Sequence, residues 1–335
     1  MSNIRAENSG IILSLSGSPT NPLTLYCRSC ILVTTNLSIE RRLNFERNHC
    51  LRSTRLIPSV RGRAVRSFAL HVGACMITLE NVSKSYDGGK TFSVKNVSIH
   101  LPPGKLLALL GGSGCGKTTT LKMINRLNDH TSGRIVVNGA DVMRIDPVAL
   151  RRSIGYVFQG SGLFPHLTVA QNIAVVPKLL DWPKERILKR TEALLDMVRL
   201  PAQEFRDRLP RQLSGGQQQR VGFARALAAE QKVILLDEPF GALDPKTRFE
   251  LRGDFMKLRR ALDLTAVMVT HDMLEALLSA DLIAVMKEGR LLQMGTPHEL
   301  RTKPADPYVS ELIDGPMREM KDLKDRIDDE KGSRA

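Results

Sequence analysis

The sequence has few cysteines and no long apolar run. Four of the five cysteines, Cys27, Cys30, Cys50 and Cys75, lie within the first 75 residues, and the fifth is Cys115. A chain whose remaining part holds one cysteine has no internal disulfide framework, which is typical of a reducing compartment. No stretch approaches the ~18 consecutive apolar residues of a membrane-spanning helix. We therefore expect a soluble cytoplasmic protein that meets a membrane peripherally or through a partner.

Acidic residues are scarce in the first part of the chain. The formal net charge is +14, and residues 1–75 contribute half of it, with ten arginines, no lysine and three acids. The much longer remainder is only mildly basic. A strongly basic surface is typical of proteins that bind nucleic acid or anionic membranes. Because the charge is concentrated in one terminal segment, we expect no nucleic-acid partner for the main body.

The first 75 residues mix short apolar patches with arginine-rich stretches, and no periodicity lasts long. Three interpretations stay open. The composition suits an organelle-targeting peptide, and one CxxC pair could contribute to a metal site made of Cys27, Cys30, His49 and Cys50. The third, which we favour because Met76 directly precedes the strand-like "ITLENVSKSY", is a disordered leader or a segment outside the native domain.

A glycine-rich turn follows an apolar strand in "KLLALLGGSGCGKTTTLKMINRL". The turn fits the pattern G-x-x-x-x-G-K-[ST], in which backbone N–H groups and a helix N-terminus converge on phosphate groups. Lys117 can reach the β- and γ-phosphates, and the Thr118 hydroxyl can ligate Mg²⁺. The predicted nucleotide-binding residues here are Gly111, Gly112, Ser113, Gly114, Cys115, Gly116, Lys117, Thr118 and Thr119.

A second apolar strand ends in two carboxylates within "VILLDEP". Val233–Leu236 is fully apolar, as expected of a parallel strand buried on both faces. Asp237 ends this strand, where ligands bind in open α/β sheets, and is a candidate Mg²⁺ ligand. Glu238 points differently and is free to act on water. The pattern predicts a protein that binds and hydrolyses a nucleoside triphosphate.

These motifs carry a specific resemblance. From Met76 to about Asp314 the chain resembles the nucleotide-binding subunit of ABC transporters, with every motif of that family present once and in order. The resemblance implies that Tyr86 in "VSKSYDGG" stacks on adenine and that Gln159 in "IGYVFQ" senses Mg²⁺ and the γ-phosphate. It assigns "LSGGQQQR" as the family signature, Asp244 in "GALD" to a subunit interface, and His271 in "VTHD" to the γ-phosphate.

The resemblance also implies the architecture. We expect an α/β fold with a P-loop NTPase core of the RecA-like type, an antiparallel β subdomain and an inserted α-helical subdomain that carries the signature. The ATP-binding domain should span residues 76–314, with the helical subdomain at roughly 162–225. Residues 315–335 form a charged tail, which we interpret as a solvated helix or disorder. That tail is too short for the regulatory CBS modules of many relatives, so regulation through them is not expected.

The signature holds no nucleophile, metal ligand or general base. Just before a predicted helix, the Ser214 hydroxyl and the N–H groups of Gly215 and Gly216, beside Gln217, form an anion site. In the resembling family two subunits stack head to tail, and each signature faces the nucleotide of the other. The chain is therefore expected to pair with a copy of itself or with a close homologue.

The chemistry implied by the resemblance is in-line attack of water on the γ-phosphoryl group. Glu238 is the predicted general base or water-orienting group, and Lys117, Gln159 and His271 complete the catalytic set. The predicted cofactor is Mg²⁺, held partly through water by Thr118, Gln159 and Asp237.

Further stretches of the sequence indicate which type of ABC transporter subunit this chain resembles. The stretches "TTLKMINRL" and "GLFPHLTVAQNIAVVPKLLDW" resemble the ATPase of importers for glycine betaine, choline and carnitine. Leu163, Phe164 and His166 should be exposed toward a permease helix, although they could instead pack internally. The implied partners are transmembrane permease subunits and, indirectly, a solute-binding protein, at the cytoplasmic face of the plasma membrane. An importer of another solute, such as an amino acid, and a non-transport ABC protein acting on ribosomes or DNA remain alternatives.

Overall fold

The computed structural model describes residues 76–241, 243–315 and 318, together with the backbone of four short strands near the start of the chain. The chain divides into two units, Met1–His71 and Val72–Ala335. In the first, strand β1 (Asn3–Arg5) pairs antiparallel with β2 (Ile12–Ser14), and β3 (Thr24–Cys27) pairs antiparallel with β4 (Cys30–Thr34). The predicted disordered leader and the alternative metal site of Cys27, Cys30, His49 and Cys50 otherwise lie outside the described residues.

The second unit contains the remaining strands. In chain order they are β5 (Ile77–Lys84), β6 (Val94–Leu101), β7 (Leu106–Leu110), β8 (Ser132–Val137), β9 (Ala140–Asp141), β10 (Ile154–Val157), β11 (Val233–Asp237), β12 (Thr265–Val269), β13 (Leu282–Lys287) and β14 (Arg290–Gly295).

The helices of this unit connect and flank the strands. They are α1 (Lys117–Ile124), α2 (Pro147–Ser153), α3 (Val169–Ile173), α4 (Val175–Leu179), α5 (Lys184–Met197), α6 (Ala202–Phe205), α7 (Gly215–Ala226), α8 (Pro245–Leu262), α9 (Met273–Ser279) and α10 (Pro297–Thr302). Short 3₁₀ helices cover Val142–Arg144 and Pro210–Gln212, and a further helical segment spans 307–315.

A six-stranded sheet forms the centre, in the order β10-β11-β12-β7-β13-β14. All neighbours are parallel except β14, which runs antiparallel to β13. Every residue of β7, β11 and β12 is buried, as expected of central parallel strands covered on both faces. Because parallel strands end at one edge, the loops after β7, β11 and β12 meet there and can form a ligand site.

A four-stranded antiparallel sheet, in the order β6-β5-β8-β9, covers one face of this core. Its apolar residues Ile77, Leu79 and Val82 join Leu107 and Leu109 of the central sheet in one buried cluster. The helices α3–α7 lie between β10 and β11 in the chain. The predicted fold class, a P-loop core with an antiparallel β subdomain, is therefore confirmed.

Three phenylalanine rings join α7 and α8 to the segment after β11. The ring centroids of Phe223 and Phe255 lie 5.1 Å apart, and those of Phe223 and Phe240 lie 5.8 Å apart. Aromatic pairs at such distances stabilise the fold by more than the burial of their apolar surface alone. The helix that carries the signature is thus anchored by aromatic packing to the segment that follows Asp237 and Glu238.

The predicted boundaries of the ATP-binding domain, its helical subdomain and its tail stay predictions. Val309 and Ile313 of segment 307–315 are fully buried in the core, whereas most of the predicted tail lies outside the described residues. Among the residues described, no helix is both long enough and apolar enough to cross a membrane.

Candidate nucleotide-binding site

The loop between β7 and α1 can be built only with glycine at two positions. Gly111 has φ 149° and Gly116 has φ 97°, both in the region that favours glycine. A Cβ atom on Gly111 would collide with the carbonyl oxygen of Met286, and one on Gly116 with the carbonyl oxygen of Ser93. Glycine therefore lets this loop pass against neighbouring backbone and present its own N–H groups.

Lys117 is folded back over the loop. Its Nζ atom donates hydrogen bonds to the carbonyl oxygens of Gly111 and Gly112, each at 2.8 Å, and lies 3.8 Å from Cys115 Sγ. The Lys117 side chain is buried, which holds its positive charge inside the loop. A phosphate group in the loop would meet this charge together with the N-terminus of α1.

The loop, the segment after β11 and the segment after β12 share one cavity of ≈ 350 Å³. The structure thus brings Glu238 and His271 to the same cavity as the loop, as the sequence predicts. Ser93 also faces it and was not predicted. The lining residues are Ser93, Ser113, Gly114, Cys115, Gly116, Lys117, Thr118, Thr119, Glu238 and His271.

Asp237 accepts two hydroxyl hydrogen bonds. The Thr118 hydroxyl donates to Asp237 Oδ1 and the Tyr156 hydroxyl donates to Asp237 Oδ2, both at 3.2 Å. Burial, and next the charge of Asp237, raise the pKa of Tyr156 above its ordinary value, so the phenol stays protonated and remains a donor. Both oxygens of the Asp237 carboxylate are thereby fixed in direction.

Glu238 lies in a strained backbone position beside two polar side chains. Its φ is 46°, which is uncommon for a residue other than glycine and costs conformational energy. Its Oε2 atom accepts a hydrogen bond from Gln159 Nε2 at 3.0 Å and lies 3.4 Å from His271 Nδ1. The carboxylate lies at the cavity, where it could accept a proton from water.

The oxygen atoms near the end of β11 suit a hard divalent cation. A carboxylate oxygen of Asp237 and the hydroxyl oxygen of Thr118 face each other at 3.2 Å. The Gln159 amide is hydrogen-bonded to the adjacent residue Glu238. Mg²⁺ prefers such ligands and usually keeps several water molecules. The described residues contain no cluster of three or more His, Cys, Asp or Glu side chains able to hold a metal. The donor set thus fits a cation that shares its coordination with a ligand and water.

Tyr86 presents an exposed ring close to the antiparallel sheet. The side chain is 61% exposed, its hydroxyl accepts a hydrogen bond from Asn128 Nδ2 at 2.9 Å, and Lys84 Nζ lies 4.7 Å from the ring centroid. An exposed ring held in this way can stack on a planar base.

The signature begins helix α7 with a capping box. Ser214 Oγ accepts from the Gln217 N–H at 3.3 Å, and the Gln217 side chain accepts from the Ser214 N–H at 2.9 Å. A Cβ atom on Gly216 would collide with the Thr247 side chain. Of the described residues that line the nucleotide cavity, none belongs to 213–217. The signature is therefore not part of the cavity of its own chain.

Asp244 caps the N-terminus of α8. Its side chain accepts a hydrogen bond from the Thr247 N–H at 3.1 Å, and hydrogen bonds from Thr247 lower the pKa of Asp244. The residue is thus ionised and held at a helix start. Its predicted interface role is additional to this cap and stays a prediction.

An apolar groove of ≈ 620 Å³ opens beside β10 and the segment that follows it. Phe164 lines it and is exposed, as is the neighbouring His166, while the Arg225 guanidinium carbon lies 5.8 Å from the Phe164 ring centroid. Leu163 is instead half-buried against the core, which matches the alternative of internal packing for this residue. On either side of it, Gly162 has φ 54° and the Phe164 N–H donates to Asn172 Oδ1 at 2.8 Å.

Two tyrosines near the site were missed by reasoning from the sequence. Tyr156 contacts Asp237, and the Tyr308 hydroxyl accepts a hydrogen bond from the Gly112 N–H at 3.0 Å. In the sequence, one feature could have indicated Tyr156: a hydroxyl-bearing side chain near the end of the strand that precedes Gln159. Tyr308 lies 196 residues from Gly112 in the chain, and no local pattern indicates that contact.

A phosphate loop between a buried strand and a helix, with a threonine–aspartate pair at the strand ends, defines a P-loop nucleotide-binding protein. The sequence profile of the ABC transporter family matches residues 94–241. The glycine betaine uptake system ATP-binding protein of Escherichia coli is 46% identical over 238 residues, covering 71% of this chain and 76% of that protein. The chain therefore belongs to the ABC transporter family as an ATP-binding protein.

Two further comparisons refine this assignment. The choline transport ATP-binding protein of Bacillus subtilis is 53% identical over 238 residues, covering 71% of this chain. The chain spans 62% of the length of that relative. Among solved structures, a dimeric ATP-binding cassette in a post-hydrolysis state with ADP and Pi is similar, with a TM-score of 0.59 and 35% identity. That comparison covers 66% of this chain and 98% of the solved one.

Proposed function

We propose that the chain is the ATP-hydrolysing subunit of a membrane importer for quaternary ammonium osmoprotectants such as glycine betaine, choline and carnitine. The observation that carries the proposal is the cavity that brings Lys117 of the phosphate loop together with Glu238 and His271. The solute class is supported by the named roles of the relatives from Bacillus subtilis and Escherichia coli.

Hydrolysis would use the charges that the cavity holds in place. Lys117 and the N–H groups of the phosphate loop bind the β- and γ-phosphates and offset the negative charge that grows as water attacks. Glu238 orients the water and accepts its proton. Gln159 and His271 both contact Glu238 Oε2 and so fix the direction of that carboxylate.

Thr118 and Asp237 would hold Mg²⁺ with the nucleotide, and Gln159 would contribute through water. When bound, Mg²⁺ offsets the charge of the phosphate oxygens. The Thr118 hydroxyl and the Asp237 carboxylate are already paired at 3.2 Å, which supports this assignment.

The active unit would be a dimer of this chain with a copy or a close homologue. The signature Ser214, Gly215, Gly216 and Gln217 would bind the γ-phosphate held by the other subunit, and Asp244 would lie at the interface. The absence of 213–217 from the described lining of the cavity supports this arrangement, and one similar solved cassette is dimeric.

The apolar groove would receive a helix of the permease at the cytoplasmic face of the plasma membrane. Its aromatic lining residues Phe158 and Phe164 are both exposed, as expected of a surface covered by a partner. A solute-binding protein would take part indirectly, and no nucleic acid is involved.

The test is reconstitution of the chain with a candidate permease and its solute-binding protein. The complex should co-purify from detergent-solubilised membranes and, in proteoliposomes with internal ATP, take up radiolabelled glycine betaine. The Glu238→Gln variant of the same complex is the matched control and should show no uptake. Uptake of an amino acid in place of glycine betaine, choline and carnitine would contradict the proposed solute class.

A further inference from the structure

Tyr156 contacts both the nucleotide site and the apolar groove. Its hydroxyl donates to Asp237 Oδ2 at 3.2 Å, while its ring is one of the groove's lining groups. The side chain is half-buried: it packs against the buried cluster of the core and also lines the groove. Tyr156 thereby contacts both regions, although it lies 81 residues before Asp237 in the chain.

The strand register explains how the hydroxyl reaches the carboxylate. In the parallel pair β10–β11, Tyr156 lies beside Leu235, two residues before Asp237. The long side chain therefore extends along the sheet to Asp237 Oδ2 and leaves Oδ1 toward Thr118. Without the phenol, the Asp237 carboxylate would lose one of its two hydroxyl partners and could rotate away from Thr118.

At the groove end, the ring packs against an exposed neighbour. The centroids of Tyr156 and Phe158 lie 4.5 Å apart, and Phe158 is 45% exposed. The Arg225 guanidinium carbon lies 5.9 Å from the Phe158 ring and 5.8 Å from the Phe164 ring. A permease helix in the groove would therefore contact the aromatic pair whose inner member, Tyr156, donates to Asp237.

We propose that Tyr156 is a positioning residue that orients Asp237 toward the metal and makes that orientation depend on the groove. The inference rests on the proposed function, because it concerns the cation held with ATP. It is separate from the contact of Gln159 with Glu238, which bears on the attacking water. Tyr156 acts on the cation-binding carboxylate. Removal of its hydroxyl should therefore lower metal affinity and leave nucleotide affinity unchanged.

The first test compares Tyr156→Phe with the wild-type chain, using Mn²⁺ as the probe and a non-hydrolysable ATP analogue. Electron paramagnetic resonance should show Mn²⁺ affinity falling about tenfold, as expected for the loss of one hydrogen bond to a charged group. Affinity for the analogue in EDTA and the thermal midpoint should stay unchanged. Tyr308→Phe also removes a hydroxyl near the phosphate loop, and as matched control it should leave Mn²⁺ affinity as it is.

The second test removes the groove-facing ring with Phe158→Ala, which does not touch Asp237. This variant should also weaken Mn²⁺ binding, and the double variant with Tyr156→Phe should lose less than the sum of both changes. Unchanged Mn²⁺ affinity in Tyr156→Phe, or strict additivity in the cycle, would overturn the inference. A wild-type chain whose analogue complex binds no Mn²⁺ would instead contradict the proposed function.

Discussion

At the residue scale, Glu238 combines a strained backbone with two fixed contacts. Its φ of 46° and the hydrogen bond from Gln159 place Oε2 at the cavity. A conformation that costs energy is retained where the surrounding structure enforces it, and such positions cluster at active sites. The role of Glu238 as base can therefore be tested without disturbing the pocket.

The prediction for Glu238→Gln is loss of turnover with retained binding. The amide keeps the shape and the contacts but cannot accept a proton, so hydrolysis should fall about 10²- to 10⁴-fold. ATP affinity, measured by equilibrium binding, should stay near the wild-type value, and the ATP-bound dimer should accumulate in size-exclusion chromatography. Near-normal hydrolysis would exclude Glu238 as the base.

A second residue-scale prediction concerns Glu275, a buried carboxyl near His271. Burial raises its pKa from 4.5 to about 7, whereas the hydrogen bond from Thr270 and the charges of Arg248 and Arg252 act in the opposite direction. Asp272 adds to the rise. Between pH 4.5 and about pH 7 the Glu275 carboxyl binds more protons in the folded state than in the unfolded state. The stability that this carboxyl contributes therefore falls as the pH increases through that range.

The expected size of that fall is on the order of 2–3 kcal/mol from pH 4.5 to above pH 7. Urea unfolding of the wild-type chain and of Glu275→Gln across this range measures it, because the amide does not titrate. The wild type should lose stability relative to the variant as pH rises. A difference between the two that stays constant with pH would show that Glu275 does not titrate in this window.

At the scale of elements, the start of α7 has one observed role and one proposed role. Ser214 completes a capping box with Gln217, which stabilises the helix, and the same N-terminus is the proposed anion site for the other subunit. The cap accounts for the fold, whereas the interface role needs a separate test.

We predict that Ser214→Arg abolishes turnover while the monomer still binds ATP. The bulky cation blocks the contact across the dimer, and losing such a transition-state contact costs about 10²- to 10³-fold in rate. Thr296→Arg is the matched control, because Thr296 forms the same kind of capping box at α10. The control should lose only the cap, about 1 kcal/mol of stability. Lost ATP affinity in Ser214→Arg would contradict the role across subunits.

The sequence predicts those elements whose cause is local. Leu106–Leu110, the glycine turn and Asp237 follow from apolar runs and from motifs whose residues are adjacent in the chain. The contacts of Tyr156 with Asp237 and of Tyr308 with Gly112 depend on strand order and on the packing of segment 307–315, which no local pattern encodes. Leu163 shows the same limit, because exposure depends on the neighbours that a turn brings close.

At the scale of the whole molecule, we propose that one chain holds only part of the catalytic site. The described cavity residues come from the phosphate loop, the segments after β11 and β12, and Ser93 just before β6, and the signature residues are not among them. ATP would thus act as a link between two chains, and each cavity would be completed by the signature of the other. When two chains close around ATP, the groove near β10 would transmit that movement to the permease.

ATP turnover per chain, measured across a dilution series of the purified protein, tests most directly whether two chains complete each site. We predict that turnover per chain falls steeply on dilution and recovers on concentration, because each cavity needs the signature of a second chain. If turnover per chain stays at its full value when the protein is demonstrably monomeric, one chain forms the whole site and the proposed dimer mechanism is wrong.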